Sequence, residues 1–161
     1  MKLIFLDVDG VLNNFQWANQ MAKEGVQVYR DDLLYEPSIL LLKKLVDETG
    51  ARIVLSSAWR RIPSARNNLI RTLERYNLFM CSETPYTGSV RGYDIQAWFN
   101  RNPGDYSYVI LDDECDMLSD QESHLVQTDF YSGFQHEDYL KAKKILEEVP
   151  VFCGTEPDPE N

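Results

Sequence analysis

The chain of 161 residues is long enough to bury a hydrophobic core without disulfide bonds, and its length predicts a single domain. Its composition, 43% hydrophobic and 26% charged, is that of an ordinary globular protein. With 26 acidic and 16 basic residues the formal net charge is −10, which argues against broad electrostatic binding to nucleic acid or to anionic membranes.

The cysteines and the first residues of the chain indicate in which cellular compartment the protein is expected. Cys81, Cys115 and Cys153 are scattered and contain no CxxC pair, so they match neither a disulfide framework nor a zinc site. A reducing compartment is the simpler interpretation. Lys2 is followed by only four apolar residues before Asp7, too few for a signal peptide. No apolar run approaches the length of a membrane-spanning helix, so we expect a cytoplasmic protein without membrane partners.

Strands and helices are predicted to alternate along the chain. Short continuous apolar runs predict buried strands at residues 3–6, 52–55, 78–80, 108–111 and 125–126. Apolar residues at helical spacing predict helices at residues 37–49, 63–76, 94–100 and 137–148. Residues 13–35 are polar, aromatic and irregular, which predicts a flap-like insertion, and residues 154–161 predict a flexible tail. The alternation predicts an α/β fold with a mostly parallel sheet in one domain over residues 1–153.

Polar side chains follow three of the predicted strands. Because ligands bind outside the carboxyl ends of parallel strands, groups distant in sequence should converge there. Carboxylates at close quarters stay ionised together only where a cation neutralises them; otherwise one pKa rises. A single Asp after a strand is usually a turn or helix-capping residue. The prediction of a site therefore rests on polar residues that follow three strands together. Hard oxygen ligands without His or Cys indicate Mg²⁺. The set comprises Asp7, Asp9, Ser56, Ser57, Arg60, Asp112 and Asp113.

These positions resemble the motifs of the haloacid dehalogenase-like (HAD) superfamily of phosphohydrolases. The segment FLDVDGVLN at residues 5–13 is similar to the first motif, an apolar strand followed by DxD and DG. The segment IVLS at residues 53–56 is similar to the second motif, and VILDD at residues 109–113 to the fourth in its adjacent-acidic form. Order and spacing fit the superfamily over about residues 3–130.

A narrower resemblance is to the HAD domain of multidomain Swiss Army Knife RNA repair proteins. It rests on SSAWR at residues 56–60, on Arg91 followed by Ile95 and Trp98, and on the LDD stretch. The resemblance implies a three-layer α/β/α Rossmann-like fold with a five-stranded sheet. The gaps between residues 13 and 37 and between residues 61 and 87 are too short for a folded cap, so we expect a capless enzyme with an open crevice.

The superfamily resemblance implies a mechanism for the first motif. Asp7 would be the nucleophile that attacks phosphorus and forms an aspartyl-phosphate. Asp9, two residues on in an extended segment, would protonate the leaving oxygen, later activate water, and give its backbone carbonyl to the metal. Gly10 would let the chain turn away sharply.

The resemblance also implies roles at the other motifs. Ser56 would hydrogen-bond a phosphoryl oxygen, and Arg91 is the candidate for the third-motif cation, with a surface ion pair as the alternative. Asp113 would be a direct Mg²⁺ ligand assisted by Asp112. Ser57 and Arg60 are further candidates for the substrate phosphate. Two alternatives stay open for Asp116, which would either bind a metal-bound water or cap the N-terminus of a helix. Two also stay open for a group of aromatic residues, which would either stack on a base or pack within their own loop: Phe15, Trp17, Tyr29 and Tyr35.

The predicted function follows from the capless site. An open crevice suits a terminal phosphate on a polynucleotide or another exposed phosphomonoester. The net charge opposes bulk nucleic-acid binding, although a local pocket at Arg60 and Arg91 would suffice for one terminal phosphate. Two alternatives stay open: a phosphatase for nucleotides or sugar phosphates, with residues 13–35 folding over the substrate, and a non-catalytic binding module.

Overall fold

The computed structural model describes residues 1–27 and 34–155. Five strands form a parallel sheet in the order β3-β2-β1-β4-β5, and β6 pairs antiparallel with the first residues of β4. The strands are β1 (Lys2–Leu6), β2 (Arg52–Leu55), β3 (Met80–Glu83), β4 (Gly104–Asp112), β5 (Leu125–Gln127) and β6 (Val151–Cys153). The helices are α1 (Phe15–Lys23), α2 (Glu36–Thr49), α3 (Pro63–Arg75), α4 (Arg91–Arg101) and α5 (His136–Leu146).

Alternation along the strands divides the core into two layers. Residues of β1, β2 and β4 point alternately to opposite faces, so a continuous apolar run supplies both layers. One face packs on α2, α3 and α5, and the other packs on α4. On the α4 side, Phe5 makes edge-on ring contacts with Trp98, Phe99 and Tyr108. The three-layer α/β/α architecture and the five parallel strands are as predicted.

The third strand and β6 differ from the sequence prediction. β3 begins at Met80 instead of residue 78, because Asn77 takes a left-handed turn (φ 56°) that directs Leu78 into the core before the strand begins. β6 was missed because it is only three residues long and mostly exposed. It pairs with the first residues of β4, which begins four residues before the predicted strand.

The segment between β1 and α2 is more regular than predicted. Residues 15–23 form α1, whose N-terminus is capped where the Asn14 side chain accepts a hydrogen bond from Trp17 N at 2.7 Å. The helix buries no residue completely, although its apolar residues do lie on one side, and the sequence prediction missed this spacing. Phe15 packs against Tyr131, and Trp17 packs against Tyr35, which matches the packing alternative.

Several expectations fall partly or wholly outside the described residues. Tyr29 lies outside the described residues, so the flap-like role of residues 13–35 stays a prediction. The domain bounds and the flexible tail at residues 154–161 also stay predictions. The described parts of the segments between β1 and α2 and between β2 and β3 contain one α-helix each, the latter also a 3₁₀ turn, and no folded cap. No helix in residues 1–27 and 34–155 combines the length and apolar character needed to cross a membrane.

Candidate active site

The carboxyl ends of β1 and β4 meet at the centre of the sheet. Leu6 is in register with Leu111, and Asp7 N donates a hydrogen bond to Leu111 O at 2.9 Å. Asp7 therefore lies beside Asp112, the last residue of β4. The chain crosses from one face of the sheet to the other between these neighbouring strands, and crevices of α/β proteins form at such a switch point. Ser56 N donates to Leu6 O at 3.0 Å and brings the end of β2 to the same place.

Three carboxylates form a compact acidic cluster at this point. Asp7, Asp112 and Asp113 each offer an oxygen, and these oxygens lie within 4.8 Å of one another. Asp7 is 5% exposed and Asp112 is fully buried. Burial is the main cause that raises the pKa of all three, and the negative charge of Asp7 raises the pKa of Asp112 further. Without a bound cation, the cluster therefore keeps protons to a higher pH than isolated carboxyls do.

The donor set of the cluster fits Mg²⁺. Asp112 Oδ1 accepts a hydrogen bond from Glu114 N, whereas Asp112 Oδ2 is buried and accepts no hydrogen bond from the described residues. A buried carboxylate oxygen without a hydrogen-bond donor is stabilised by nearby cations, here the Arg91 guanidinium at 3.3 Å and, where it binds, a metal ion. Carboxylate oxygens without sulfur or imidazole are the ligands that Mg²⁺ prefers. Asp7, Asp112 and Asp113 would therefore hold the ion.

Asp9 stands apart from this side-chain cluster. Its carboxylate accepts a hydrogen bond from Asn13 Nδ2 at 2.8 Å, and Asn13 Oδ1 accepts one from Gly10 N at 2.9 Å. These two hydrogen bonds join Asn13 to Gly10 and Asp9 within the loop after β1, and they fix the orientation of the Asp9 side chain. Its predicted metal contact is through the backbone carbonyl and stays a prediction. Asn13 lies within the segment that is similar to the first motif, but the sequence predicted no role for it.

Gly10 is required by the close approach of two loops. It has a φ of +76°, and a Cβ there would lie 2.7 Å from Asp113 Cγ. Its carbonyl accepts a hydrogen bond from Thr128 Oγ1 at 2.6 Å, and Thr128 N donates to Asp112 O at 2.9 Å. Thr128 thus joins the loops after β1 and β4. Sequence reasoning missed it, although it follows β5 as the other polar residues follow their strands.

Arg91 begins α4 and faces the acidic cluster. Its Nη2 lies 3.4 Å from Asp7 Oδ1, and its Nε lies 3.3 Å from Asp112 Oδ2. Its side chain is 15% exposed. The structure thus brings Arg91 to the predicted nucleophile, and the alternative of a surface ion pair is wrong. The positive charge of Arg91 opposes the effect of burial by lowering the pKa of both carboxyls.

The first turn of α4 is held by contacts that the sequence did not predict. Arg91 N donates to Asp116 Oδ2 at 3.0 Å, so Asp116 caps α4, which precedes it in the chain. Of its two predicted roles, capping is therefore the one observed, but of an unexpected helix. A Cβ on Gly92 would lie 2.6 Å from Leu118 N, and Gly92 O accepts from Gln121 Nε2 at 3.0 Å. These contacts position Arg91.

The two serines after β2 have different surroundings. Ser57 Oγ accepts a hydrogen bond from Trp59 N at 3.2 Å, and its hydroxyl also lowers the pKa of Asp7 by hydrogen bonding to that carboxylate. Ser56 Oγ is buried and has no hydrogen-bond partner among the described residues. Ser57 is thus the serine that contacts the predicted nucleophile. The predicted contacts of both hydroxyls with substrate phosphate stay predictions.

Arg60 has a structural position that corrects its predicted role as a phosphate ligand. Its side chain is 5% exposed and forms an ion pair with Asp94 at 2.6 Å. All five of its N–H groups are used within the protein, so none remains for a substrate. The acceptors are Thr84 O, Ser56 O, Ser57 O, Pro85 O and Asp94 Oδ2. Arg60 joins the loops after β2 and β3 to α4.

Replacing Arg60 tests this correction. Because Arg60→Ala leaves the buried carboxylate of Asp94 without its partner, we expect the free energy of unfolding to fall by about 3–5 kcal/mol. Urea denaturation measures the loss, and Arg71→Ala on the exposed face of α3 is the matched control. A variant with wild-type stability but weakened binding of phosphomonoesters would instead return Arg60 to the phosphate site.

The raised carboxyl pKa values predict how stability depends on pH without Mg²⁺. The folded protein keeps protons on Asp7 and Asp112 where the unfolded chain has released them, so the free energy of unfolding falls as pH rises. The window runs from about 4, the ordinary carboxyl value, to the pKa of about 8 for Asp112. Denaturation at several pH values with a chelator measures this slope. Asp112→Asn should reduce it, and an unchanged slope in that variant would contradict the account.

Comparison with known proteins agrees with this site. Residues 3–139 match the family described as the HAD domain in Swiss Army Knife RNA repair proteins. No match was found among curated proteins or among solved structures. The match spans the strands and loops that form the acidic cluster, and HAD domains in general indicate a phosphohydrolase. The chain therefore belongs to the family of HAD domains found in Swiss Army Knife RNA repair proteins.

Proposed function

We propose that the protein is a Mg²⁺-dependent phosphohydrolase that acts through an aspartyl-phosphate on Asp7. Its substrate would be a terminal phosphate on a polynucleotide or another exposed phosphomonoester. The observation that carries the proposal is the meeting of Asp7 with Asp112, Asp113 and Arg91 at the end of neighbouring parallel strands. This arrangement combines a nucleophile, a set of oxygen ligands and a cation that suits phosphate.

The first chemical step would use Asp7 as nucleophile. A carboxylate oxygen of Asp7 attacks phosphorus, and the bond from phosphorus to the leaving oxygen breaks. Asp9 gives its proton to that oxygen, so the leaving group departs as an alcohol. The Ser57 hydroxyl and the Arg91 guanidinium favour the ionised form of Asp7 that the attack requires.

The second step would release phosphate. Water attacks the phosphorus of the aspartyl-phosphate while Asp9, now ionised, takes a proton from it. The bond between phosphorus and Asp7 breaks, which frees inorganic phosphate and restores the carboxylate. The hydrogen bond from Asn13 holds the Asp9 carboxylate throughout. Mg²⁺ bound by Asp7, Asp112 and Asp113 would offset the negative charge of the phosphoryl group.

The shape and charge of the protein support a terminal phosphate. A cleft of about 120 Å³ opens beside Arg91 and Asp116, and no folded cap covers the site within the described residues. An open site admits the end of a large substrate. The net charge of −10 disfavours binding along a nucleic-acid backbone, so recognition would concentrate on the end of the chain. The family to which the chain belongs is described from RNA repair proteins.

Phosphate release from a substrate panel tests the proposal. The panel contains 3′- and 5′-phosphorylated oligonucleotides, mononucleotides, a sugar phosphate, a phosphopeptide and an alkyl phosphomonoester, each assayed with Mg²⁺ and with a chelator. We expect release that requires Mg²⁺ and is fastest on phosphorylated oligonucleotides. Preference for mononucleotides or sugar phosphates would support the small-molecule alternative. No release by folded protein that binds Mg²⁺ would contradict the enzyme and favour a binding module.

A further inference from the structure

An arginine and a tyrosine form a stacked pair beside the proposed site. Arg61 ends the short 3₁₀ turn after β2, and Tyr86 lies in the loop after β3. The guanidinium carbon of Arg61 lies 3.6 Å from the centroid of the Tyr86 ring. Both residues line the cleft that also contains Arg91 and Asp116. The pair therefore lies in the same cleft as Arg91, the predicted catalytic cation.

The pair is available to a ligand in a way that its neighbours are not. Arg60 is buried against Asp94, and Arg91 faces Asp7 and Asp112. Arg61, by contrast, is exposed, and no carboxylate in residues 1–27 and 34–155 forms an ion pair with it. Tyr86 is 56% exposed although it is a large aromatic residue. The cleft thus offers one available positive charge on a flat, exposed aromatic surface.

We propose that Arg61 and Tyr86 bind the nucleotide next to the terminal phosphate of a single-stranded polynucleotide. The proposal rests on the proposed phosphohydrolase function and names the substrate class of that site. Nucleobases stack on exposed tyrosine rings and on arginine planes, and such stacking tolerates any base. A guanidinium centred over a ring can still offer N–H groups to a phosphodiester oxygen.

The charge distribution limits the subsite to the end of the chain. The protein carries a net charge of −10, and the cleft also contains Asp94 and Asp116. A backbone tracked over many nucleotides would need a basic stripe, which this composition disfavours. One stacked base and one arginine contact fit both the small cleft and the acidic surroundings. We therefore expect the substrate to be selected by its terminal nucleotide and not by its length.

A kinetic comparison tests the subsite. The substrates are a short single-stranded oligonucleotide with a terminal phosphate, the same oligonucleotide with an abasic terminal nucleotide, and an alkyl phosphomonoester. For the wild-type protein we expect kcat/KM to be about tenfold higher with the base present, as stacking implies. Tyr86→Leu should remove this preference, and Tyr86→Phe, which keeps the ring, should retain it. Arg61→Ala should lower kcat/KM for the oligonucleotide relative to the alkyl ester, whereas Arg71→Ala should not.

The outcomes separate this inference from the proposed function. If the wild-type protein hydrolyses none of the three substrates, the proposed function fails. If it hydrolyses the alkyl ester and both oligonucleotides without a base preference, the function stands and the subsite is wrong. A preference that survives in Tyr86→Leu would also overturn the subsite. A phosphopeptide serves as a further substrate for the Arg61 and Tyr86 variants. If these variants lose as much phosphopeptide hydrolysis as oligonucleotide hydrolysis, the subsite is not specific for a nucleotide and the inference is overturned.

Discussion

Asp7→Asn should lower Mg²⁺-dependent phosphate release by about 10³-fold or more. The substitution keeps the size of the side chain but removes the nucleophilic oxygen, and loss of a nucleophile has effects of at least this size. Asn also removes a negative charge from a cluster whose pKa values are raised by burial and mutual repulsion. The variant should therefore be at least as stable as the wild-type protein without metal. Steady-state phosphate release and urea denaturation measure the two effects.

Asp105→Asn is the matched control for this variant. Asp105 is exposed at the amino end of β4, whereas the acidic cluster lies at the carboxyl end of the same strand. The control removes one negative charge at the opposite end of β4, away from the cluster, and should keep wild-type activity. Asp7→Asn protein that retained more than a tenth of the wild-type rate would show that Asp7 is not the nucleophile.

Gly10→Ala should weaken the metal site without replacing any ligand. The new Cβ would lie 2.7 Å from Asp113 Cγ and would displace the Asp113 carboxylate. Displacing groups around metal ligands lowers metal affinity by about 10- to 100-fold. We expect a corresponding rise in the Mg²⁺ concentration needed for half-maximal activity, together with a loss of stability. Titration of activity with Mg²⁺ measures the first effect.

Gly50→Ala separates this clash from backbone strain. Gly50 ends α2 with a φ of +68°, but a Cβ there would have nothing within 4 Å. The control should cost about 1 kcal/mol of stability and leave the Mg²⁺ requirement unchanged. An equal Mg²⁺ requirement in Gly10→Ala and the wild-type protein would argue that Asp113 is not a ligand.

The strands formed by continuous apolar runs, and the residues that follow them, were predicted correctly from the sequence. The apolar runs at residues 3–6 and 108–111 become neighbouring strands because a fully buried strand needs apolar residues on both faces. Once two parallel strands are neighbours, the residues that follow them must meet, which is why the sequence predicts that Asp7 and Asp112 lie together. Gly10 was predicted to allow a sharp turn, and its φ of +76° agrees.

The errors arose where the role of a residue depends on distant partners. Arg60 looks like a phosphate ligand beside the serines, but its partners Thr84 and Asp94 lie 24 and 34 residues away and occupy its N–H groups. Asp116 looks like a cap for the chain that follows it, but it caps α4 instead. α1 was missed although its apolar residues have helical spacing, because the segment around it is polar and irregular, and β6 was missed because it is short and mostly exposed.

Trapping the covalent intermediate tests the central claim most directly. Wild-type protein is mixed with phosphorylated oligonucleotide and Mg²⁺, quenched in acid within one turnover, and examined by peptide mass spectrometry. The account predicts a phosphoryl group on Asp7, converted to homoserine at that position by borohydride reduction, and no such product without Mg²⁺. Phosphate release without any acyl-phosphate on Asp7, or with the phosphoryl group on another residue, would contradict the account.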